Sequence, residues 1–276
     1  GWVWDPAGNV AHATAEVEWI EGDSGVFAWG TGPELGIGMH KDFAPPTPVV
    51  ALPQVRSLAA GENVSLALDL GGNVYQWGTN ETGSTPTRLN LPDIVVTKIA
   101  VGTTWALALD TNGRVHRWDI DPQGIFTDTE PTQVDGLPRI ADIAAGYRHA
   151  IVLDTDGNLW GWGNDHDGQL GHGSVAPFRA VPEPCSAPGF DSFTADAVYA
   201  TGATSFAISS DGSVWGWGSN MYGGHLGPLE LRVLSPTRIA GVQKVLELDT
   251  GWSSVVALTE GGEVFQWGDK SEPALV

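Results

Sequence analysis

Apolar and polar residues alternate along this chain in short runs that come in pairs, each pair hinged on Gly-Gly, Asn-Gly or Asp-Gly. The segments "GENVSLALDLGGNVYQWG" from Gly61, "GTTWALALDTNGRVHRWD" from Gly102, "GYRHAIVLDTDGNLWGWG" from Gly146 and "GWSSVVALTEGGEVFQWG" from Gly251 share this form, and "GATSFAISSDGSVWGWG" from Gly202 is one residue shorter. Such a hinge between two alternating runs predicts a β-hairpin, with Gly supplying the positive φ of the turn. In the second run Val26, Val74, Val115, Leu159, Val214 and Val264 hold one position, and Phe27, Tyr75, His116, Trp160, Trp215 and Phe265 hold the next. The latter set shares a strand face with the Trp two places on. Both faces are therefore apolar, the pattern expected of small sheets covered by neighbours on both sides.

The terminal Trp of each run fixes the period. Trp29, Trp77, Trp118, Trp162, Trp217 and Trp267 are each followed by Gly, except that Trp118 is followed by Asp119, and the steps between them are 48, 41, 44, 55 and 50 residues. Self-similarity at this period signals a repeat architecture. Pro-marked segments lie upstream of the hairpins: "TPVVALPQVRSLAAG", "TPTRLNLPDIVVTKIAVG", "EPTQVDGLPRIADIAAG" and "SPTRIAGVQKVLELDTG", with a longer counterpart at 174–201 read as a surface insertion. The final "SEPALV" matches the start of such a segment, and "VEWIEGDSGVFAWG" near the N-terminus supplies a hairpin without one. The expectation is an all-β protein, one domain over 1–276, forming a closed β-propeller of four-stranded blades. Its hairpins end near 30, 78, 119, 163, 218 and 268. Six repeats are detected, and seven are allowed if Trp2 to His12 forms part of a degenerate blade. The N- and C-terminal segments are expected to complete one shared blade, leaving no exposed sheet edge.

The string "WGNDHDGQLGHG" at 162–173, preceded by "IADIAAGYRHAIVLDTDGNLWG", resembles the repeat of the regulator of chromosome condensation family. "WGTGPELGIG" at Trp29 and "WGSNMYGGHLG" at Trp217 keep most of the loop, whereas "WGTNETGSTPT" at Trp77 is shortened and the Trp118 copy loses it. The resemblance covers nearly the whole chain and implies a β-propeller, usually of seven blades. The family's namesake is a nuclear exchange factor for a small GTPase that docks on chromatin. Other members are protein-binding modules, including bacterial secreted inhibitors of β-lactamases, and in character this chain is closest to the bacterial, non-chromatin members.

Charge narrows these implications. Acidic residues number 33 against 13 basic, a net charge of −20, which repels a phosphate backbone and disfavours nucleic-acid binding. Only Lys41, Lys98, Lys244 and Lys270 are lysines, a surface type that fits an exported or surface-displayed protein. Cys185 is the single cysteine, so no internal disulfide forms, and a buried or idle thiol is expected. No run reaches the roughly 18 to 20 apolar residues of a membrane span. The start at Gly1 lacks a signal peptide's basic and apolar regions and reads as a processed or partial chain.

No catalytic set emerges, and no cofactor is expected. Asp110, Asp154 and Asp211 recur in matching turns, where an Asx side chain bonds its own backbone. "DTDGN" and "NDHDG" match calcium loops only superficially, because the twelfth position from Asp154 is Asp165 and not Glu. His166 and His172 lack an evident third zinc ligand.

The residues just after each repeated Gly vary while their flanks repeat. Those turns gather at one mouth of a propeller, so Glu62, Asn63, Trp105, Tyr147, Arg148, Trp252 and Ser253 are the candidate partner-binding set, rich in the side chains that anchor interfaces. The alternative, that Trp105 and His149 point into blade cores as the family's His does at that place, stays open. The expected function is non-enzymatic binding of another protein. The alternatives are a small-GTPase regulator with exchange activity, and a carbohydrate-binding or polysaccharide-processing propeller whose aromatics stack sugars.

Overall fold

The computed structural model describes residues 2–4, 10–12, 25–30, 37, 44–61, 64–78, 85–121, 126–127, 130–221, 225–227, 230–251, 254–268 and 271–276. Strand β1 (Trp2–Trp4) pairs with β2 (Val10–His12), and β3 (Phe27–Gly30) with β4 (Ala44–Pro48). Five antiparallel four-stranded blades follow. Blade I comprises β5 (Val55–Ala60), β6 (Val64–Asp69), β7 (Val74–Gly78) and β8 (Thr87–Arg88). Blade II comprises β9 (Val96–Val101), β10 (Trp105–Asp110), β11 (Val115–Asp119) and β12 (Thr132–Gln133). Blade III comprises β13 (Ile140–Ala145), β14 (His149–Asp154), β15 (Leu159–Asp165) and β16 (Ala176–Pro184). Blade IV comprises β17 (Ala195–Thr201), β18 (Thr204–Ser209), β19 (Val214–Ser219) and β20 (Arg232–Arg238). Blade V comprises β21 (Val245–Thr250), β22 (Ser254–Thr259), β23 (Val264–Gly268) and β24 (Ala274–Leu275).

The complete blades among the described residues thus number five, not the six or seven expected. The sixth copy, at Trp29, is represented among the described residues by the two-stranded sheet of β3 and β4, and the unit boundary also differs from the expectation. Each Pro-marked strand pairs with the hairpin before it and not the one after, as Tyr75 opposite Arg88 and Phe265 opposite Leu275 show. The terminal "SEPALV" strand therefore completes blade V, and is not half of a blade shared with the N-terminus. The Trp29 hairpin contributes β3, while residues 13–24, expected to pair on its other side, lie outside the described residues. The 174–201 insertion is not loop throughout, because it supplies β16, the longest of the described strands, and a 3-10 turn at Phe190–Ser192.

Consecutive blades are joined by one recurring contact. Val74 packs with Val96, Ile99 and Trp118; Val115 with Ile140, Ile143 and Trp162; Leu159 with Val198 and Trp217; Val214 with Val245, Leu248 and Trp267. In each third strand the opening residue and the Trp are three positions apart and so face opposite ways. The first meets the following blade and the Trp meets the preceding one. Leu170 and Leu226, from the loops after Trp162 and Trp217, are buried in the same joints. Trp217 Nε1 donates to the Gln169 carbonyl at 3.0 Å, and Trp267 Nε1 to the His225 carbonyl at 2.8 Å, each in the preceding blade's loop.

The Gly after the Trp has a local cause. Gly163 and Gly218 sit at φ 101°, and a Cβ there would lie 2.4 Å from the carbonyl oxygens of Arg148 and Ala203. Asp119 adopts no positive φ, so the divergent copy needs no glycine.

Among the described residues nothing covers the far side of blade V. Leu258 and Val264 are 38% and 37% exposed, whereas Leu153 and Leu159 at the same positions of blade III are 3% and 6% exposed. At the other end Trp29 is 48% exposed, against 2% for Trp267.

Candidate functional site

The turn between the first and second strands of each blade starts at a repeated Gly, and these turns stack against one another. Thr103 N–H donates to the Tyr147 carbonyl at 3.2 Å, and Tyr147 N–H to the Gly202 carbonyl at 2.7 Å. The approach is so close that a Cβ on Gly102 would stand 2.3 Å from the Gly146 carbonyl oxygen. This backbone staircase rims one mouth of a cavity of about 990 Å³ that runs along the inner strands.

Tyr147 and Arg148 lie exposed on this rim, as the sequence suggests. Trp105 does not. It is 3% exposed, packed against Leu107 and Trp162 between blades II and III, with the Arg117 guanidinium 4.6 Å over its ring. In blades I to IV the third residue after the repeated Gly turns into the joint, and Val64, Trp105, His149 and Ser205 are buried, whereas Ser254 of blade V is half-buried. Glu62, Asn63, Trp252 and Ser253 lie outside the described residues.

The loops after the third strands form the rest of the rim, which sequence reasoning does not reach. Asn164 N–H donates to the Arg148 carbonyl at 2.7 Å, and Asp167 holds the Arg232 guanidinium at 2.7 Å. Asn164, Asp167 and Gln169 line the cavity beside Tyr147 and Arg148. The polar "NDHDG" string, which fails as a calcium loop, is the signal in the sequence that marks this part of the rim.

Inside the cavity, Lys98 of β9 forms an ion pair with Asp142 of β13. Asp142 also accepts the Val198 N–H of β17 at 3.1 Å, so one carboxylate ties three inner strands together. Burial pushes the nearby Tyr199 phenol up, and the Asp142, Glu247 and Asp249 carboxylates add to the shift. The cavity wall is thus electrostatically mixed, with its carboxylates concentrated towards blades III to V.

The turn aspartates do as expected. Asp110 accepts the N–H groups of Asn112 and Arg114 at 2.8 and 2.9 Å, and Asp154 those of Asp156 and Asn158 at 2.9 and 2.8 Å. Burial works to raise both carboxyls, but these bonds, with His116 on Asp110 and Trp160 on Asp154, outweigh it and hold them below the usual range. In blade IV Ser209 takes the place of that Asp and Asp211 binds the turn from two residues further on, through Ser209 Oγ and Ser213 N–H.

His172 is buried with its Nδ1 3.8 Å from Asp165 and its Nε2 3.7 Å from Glu183, carboxylates already engaged by Arg179. Among the described residues no group of three or more His, Cys, Asp or Glu is placed to hold a metal ion. Burial pushes the Cys185 thiol well above its ordinary value, with Asp165 adding to the shift. No helix among the described residues is long and apolar enough to cross a membrane.

Repeated four-stranded blades joined through a Trp ladder around a central cavity define a β-propeller. The Regulator of chromosome condensation (RCC1) repeat matches residues 140–169 and again residues 156–208. Repeats of the RCC1 type are thus found at residues 140–208, within blades that have the form of a β-propeller. The chain is 28% identical over 268 residues to the ultraviolet-B receptor UVR8 of Arabidopsis thaliana, covering 88% of this chain and 60% of that protein. The RCC1 domain-containing mitochondrial protein RUG3 of the same plant is 26% identical, over 92% of this chain and 63% of its own length. The chain therefore spans just over three fifths of these relatives at most. Among solved structures it is similar to human WBSCR16, with a TM-score of 0.75 and 22% identity over 91% of this chain and 75% of that one. It is also similar to a chain of the structure of Kap60 bound to yeast RCC1 (Prp20), with a TM-score of 0.74 and 23% identity over 94% and 70% of the two chains. At these identities the structural likeness speaks for the fold alone.

Proposed function

We propose that this chain is a non-enzymatic, protein-binding propeller that grips its partner at the mouth rimmed by Tyr147 and Arg148. The observation that carries the reading is the exposure of these two side chains, side by side, on a turn whose backbone is locked to its neighbours by the Tyr147 N–H bond to Gly202. An aromatic and an arginine held on a rigid rim are suited to anchor an interface at low entropic cost. Glu62, Asn63, Trp252 and Ser253 stand at the corresponding positions of the repeated sequence and are part of the same proposal. The yeast RCC1 structure, in which Kap60 is bound, supports the idea that such a scaffold serves protein recognition.

The test is affinity capture from the source organism with wild-type protein and with a Tyr147→Ala/Arg148→Ala double variant. Partners recovered by the wild type and depleted at least ten-fold by the variant support the reading, since loss of two anchors costs upwards of about 1.4 kcal/mol. Undiminished recovery assigns binding to another surface. The acidic, lysine-poor composition supports placing the protein outside the cell or on its surface, which fractionation of source cells checks. A small-GTPase regulator is the second reading, supported by the repeat type and by the apolar residues Phe178 and Val181 that the insertion exposes. Acceleration of nucleotide release from candidate GTPases is its measure.

A further inference from the structure

Two departures from the repeat meet across one cleft on the outer wall. The first is Asp119, which stands where the other five copies have the Gly of Trp-Gly. The second is the insertion, which supplies the nine-residue β16 where β8, β12 and β24 have two residues and β20 has seven. Ala180, Val181 and Pro182 of β16 and Arg117 and Asp119 of β11 line the same cleft of about 360 Å³ between blades II and III. Neither departure is needed by the joint beneath, where Trp162 packs as in the other blades. Both shape the surface above it.

The chemistry of the cleft favours a cation with an apolar stem. Arg117 is already committed: its Nε donates to Asp119 Oδ1 at 2.7 Å, its Nη2 goes to the same oxygen, and its guanidinium lies over Trp105. Among the described residues no donor is placed on Asp119 Oδ2, and the Asp119 side chain is 48% exposed. Exposed Asp135 supplies a second carboxylate on the same side. One paired guanidinium against two carboxylates leaves the cleft net negative, within a chain of net charge −20 that concentrates cations around it. Val134, Val181 and Pro182 provide apolar walls, on which the methylenes of a long cationic side chain pack.

We infer that this cleft is a binding site for a basic peptide segment, taking a Lys or Arg side chain against Asp119 and Asp135 with its aliphatic stem on Val134, Val181 and Pro182. The site is separate from the mouth and stands whether or not Tyr147 and Arg148 bind a partner. Three probes test it by methyl NMR on the full chain: acetyl-Leu-Lys-Leu-amide, its norleucine counterpart and its glutamate counterpart. The lysine peptide is expected to shift the Val134 and Val181 methyl signals saturably, and the other two to bind about two- to five-fold more weakly, the scale of one exposed ion pair. Asp119→Asn, which keeps the side-chain shape, is expected to reduce lysine-peptide affinity by a similar factor, and Val181→Ser to weaken lysine and norleucine peptides alike. Wild-type shifts elsewhere in the methyl spectrum show that each variant is folded. Absence of saturable shifts, equal affinity for the three peptides, or an unchanged affinity in Asp119→Asn overturns the proposal.

Discussion

His149 of blade III and Ser205 of blade IV are joined by a hydrogen bond of 2.9 Å between Nε2 and Oγ, with both residues completely buried. Ser205 Oγ in turn donates to the Gln169 carbonyl at 2.8 Å, the acceptor that Trp217 Nε1 also uses. Since Ser205 gives its only hydrogen to Gln169, His149 must carry its proton on Nε2. One carbonyl in the Gly-Gln-Leu-Gly loop thus gathers the polar groups of the whole joint. Ser205→Ala strands the His149 N–H in an apolar setting, and a buried donor left unpaired costs about 1–3 kcal/mol. Urea unfolding monitored by tryptophan fluorescence should show a lower midpoint with an unchanged slope.

The same histidine makes stability depend on pH. Burial lowers the His149 pKa from 6.5 in the unfolded chain to about 3 in the folded one. Above pH 6.5 both states are neutral at this site and its contribution is fully present. Below 6.5 the unfolded chain takes up the proton first, so stability falls as pH drops towards 3, by at most about 1.4 kcal/mol per pH unit. His172, lowered by burial and by Arg179, acts in the same direction. Asp110 and Asp154 add their losses only lower down, as pH falls through the carboxylate range. His149→Val, which installs the residue that blade I has at Val64, should remove much of the slope between pH 6.5 and 4.5. A slope as steep as that of the wild type would show that another group controls it.

The joints are readable in the sequence because they repeat. Val74, Val115, Leu159 and Val214 and their Trp partners occupy fixed apolar columns that mark the faces buried between consecutive blades, while the same columns stay open at the two ends, at Val264 and Trp29. The unit boundary is not readable, because a Pro-marked strand such as Thr87–Arg88 is next to one hairpin in sequence and paired to another in space. Residue type alone places Trp105 at the mouth, yet the buried column Val64, Trp105, His149, Ser205 is set by register, which overrides type. Asn164 and Asp167 stand out in the sequence only as members of the polar "NDHDG" string, and their place beside Arg148 depends on a contact between a loop and a turn that no local pattern encodes.

Close packing of the turns gives a second prediction about the mouth. Gly102→Ala puts a methyl group 2.3 Å from the Gly146 carbonyl oxygen, a backbone atom that cannot rotate aside. The Thr103 N–H bond to Tyr147 must then lengthen or break, and overpacking of this kind costs about 1–3 kcal/mol. Gly136→Ala is the control for the loss of a glycine at a place where a Cβ meets nothing within 4 Å, although its φ of 83° carries its own strain. Amide exchange at Thr103 and Tyr147 should accelerate in Gly102→Ala and stay unchanged in Gly136→Ala.

Equivalent leucines separate burial from residue type. Leu153 and Leu258 hold the same place in their hairpins, each opposite the residue that opens the third strand, Leu159 or Val264. Leu153 is 3% exposed between blades III and IV, whereas Leu258 is 38% exposed on the far side of blade V. A Cβ on Gly262, in the turn of that blade, would meet nothing within 4 Å, while one on Gly212 in blade IV would stand 2.6 Å from Lys244. Leu153→Ala removes packed methyls and leaves a cavity, a loss of about 2–5 kcal/mol. Leu258→Ala removes a side chain already in contact with water and should cost under about 1 kcal/mol. Chemical denaturation of the two variants in parallel measures the difference, and comparable losses would mean that blade V is covered in solution.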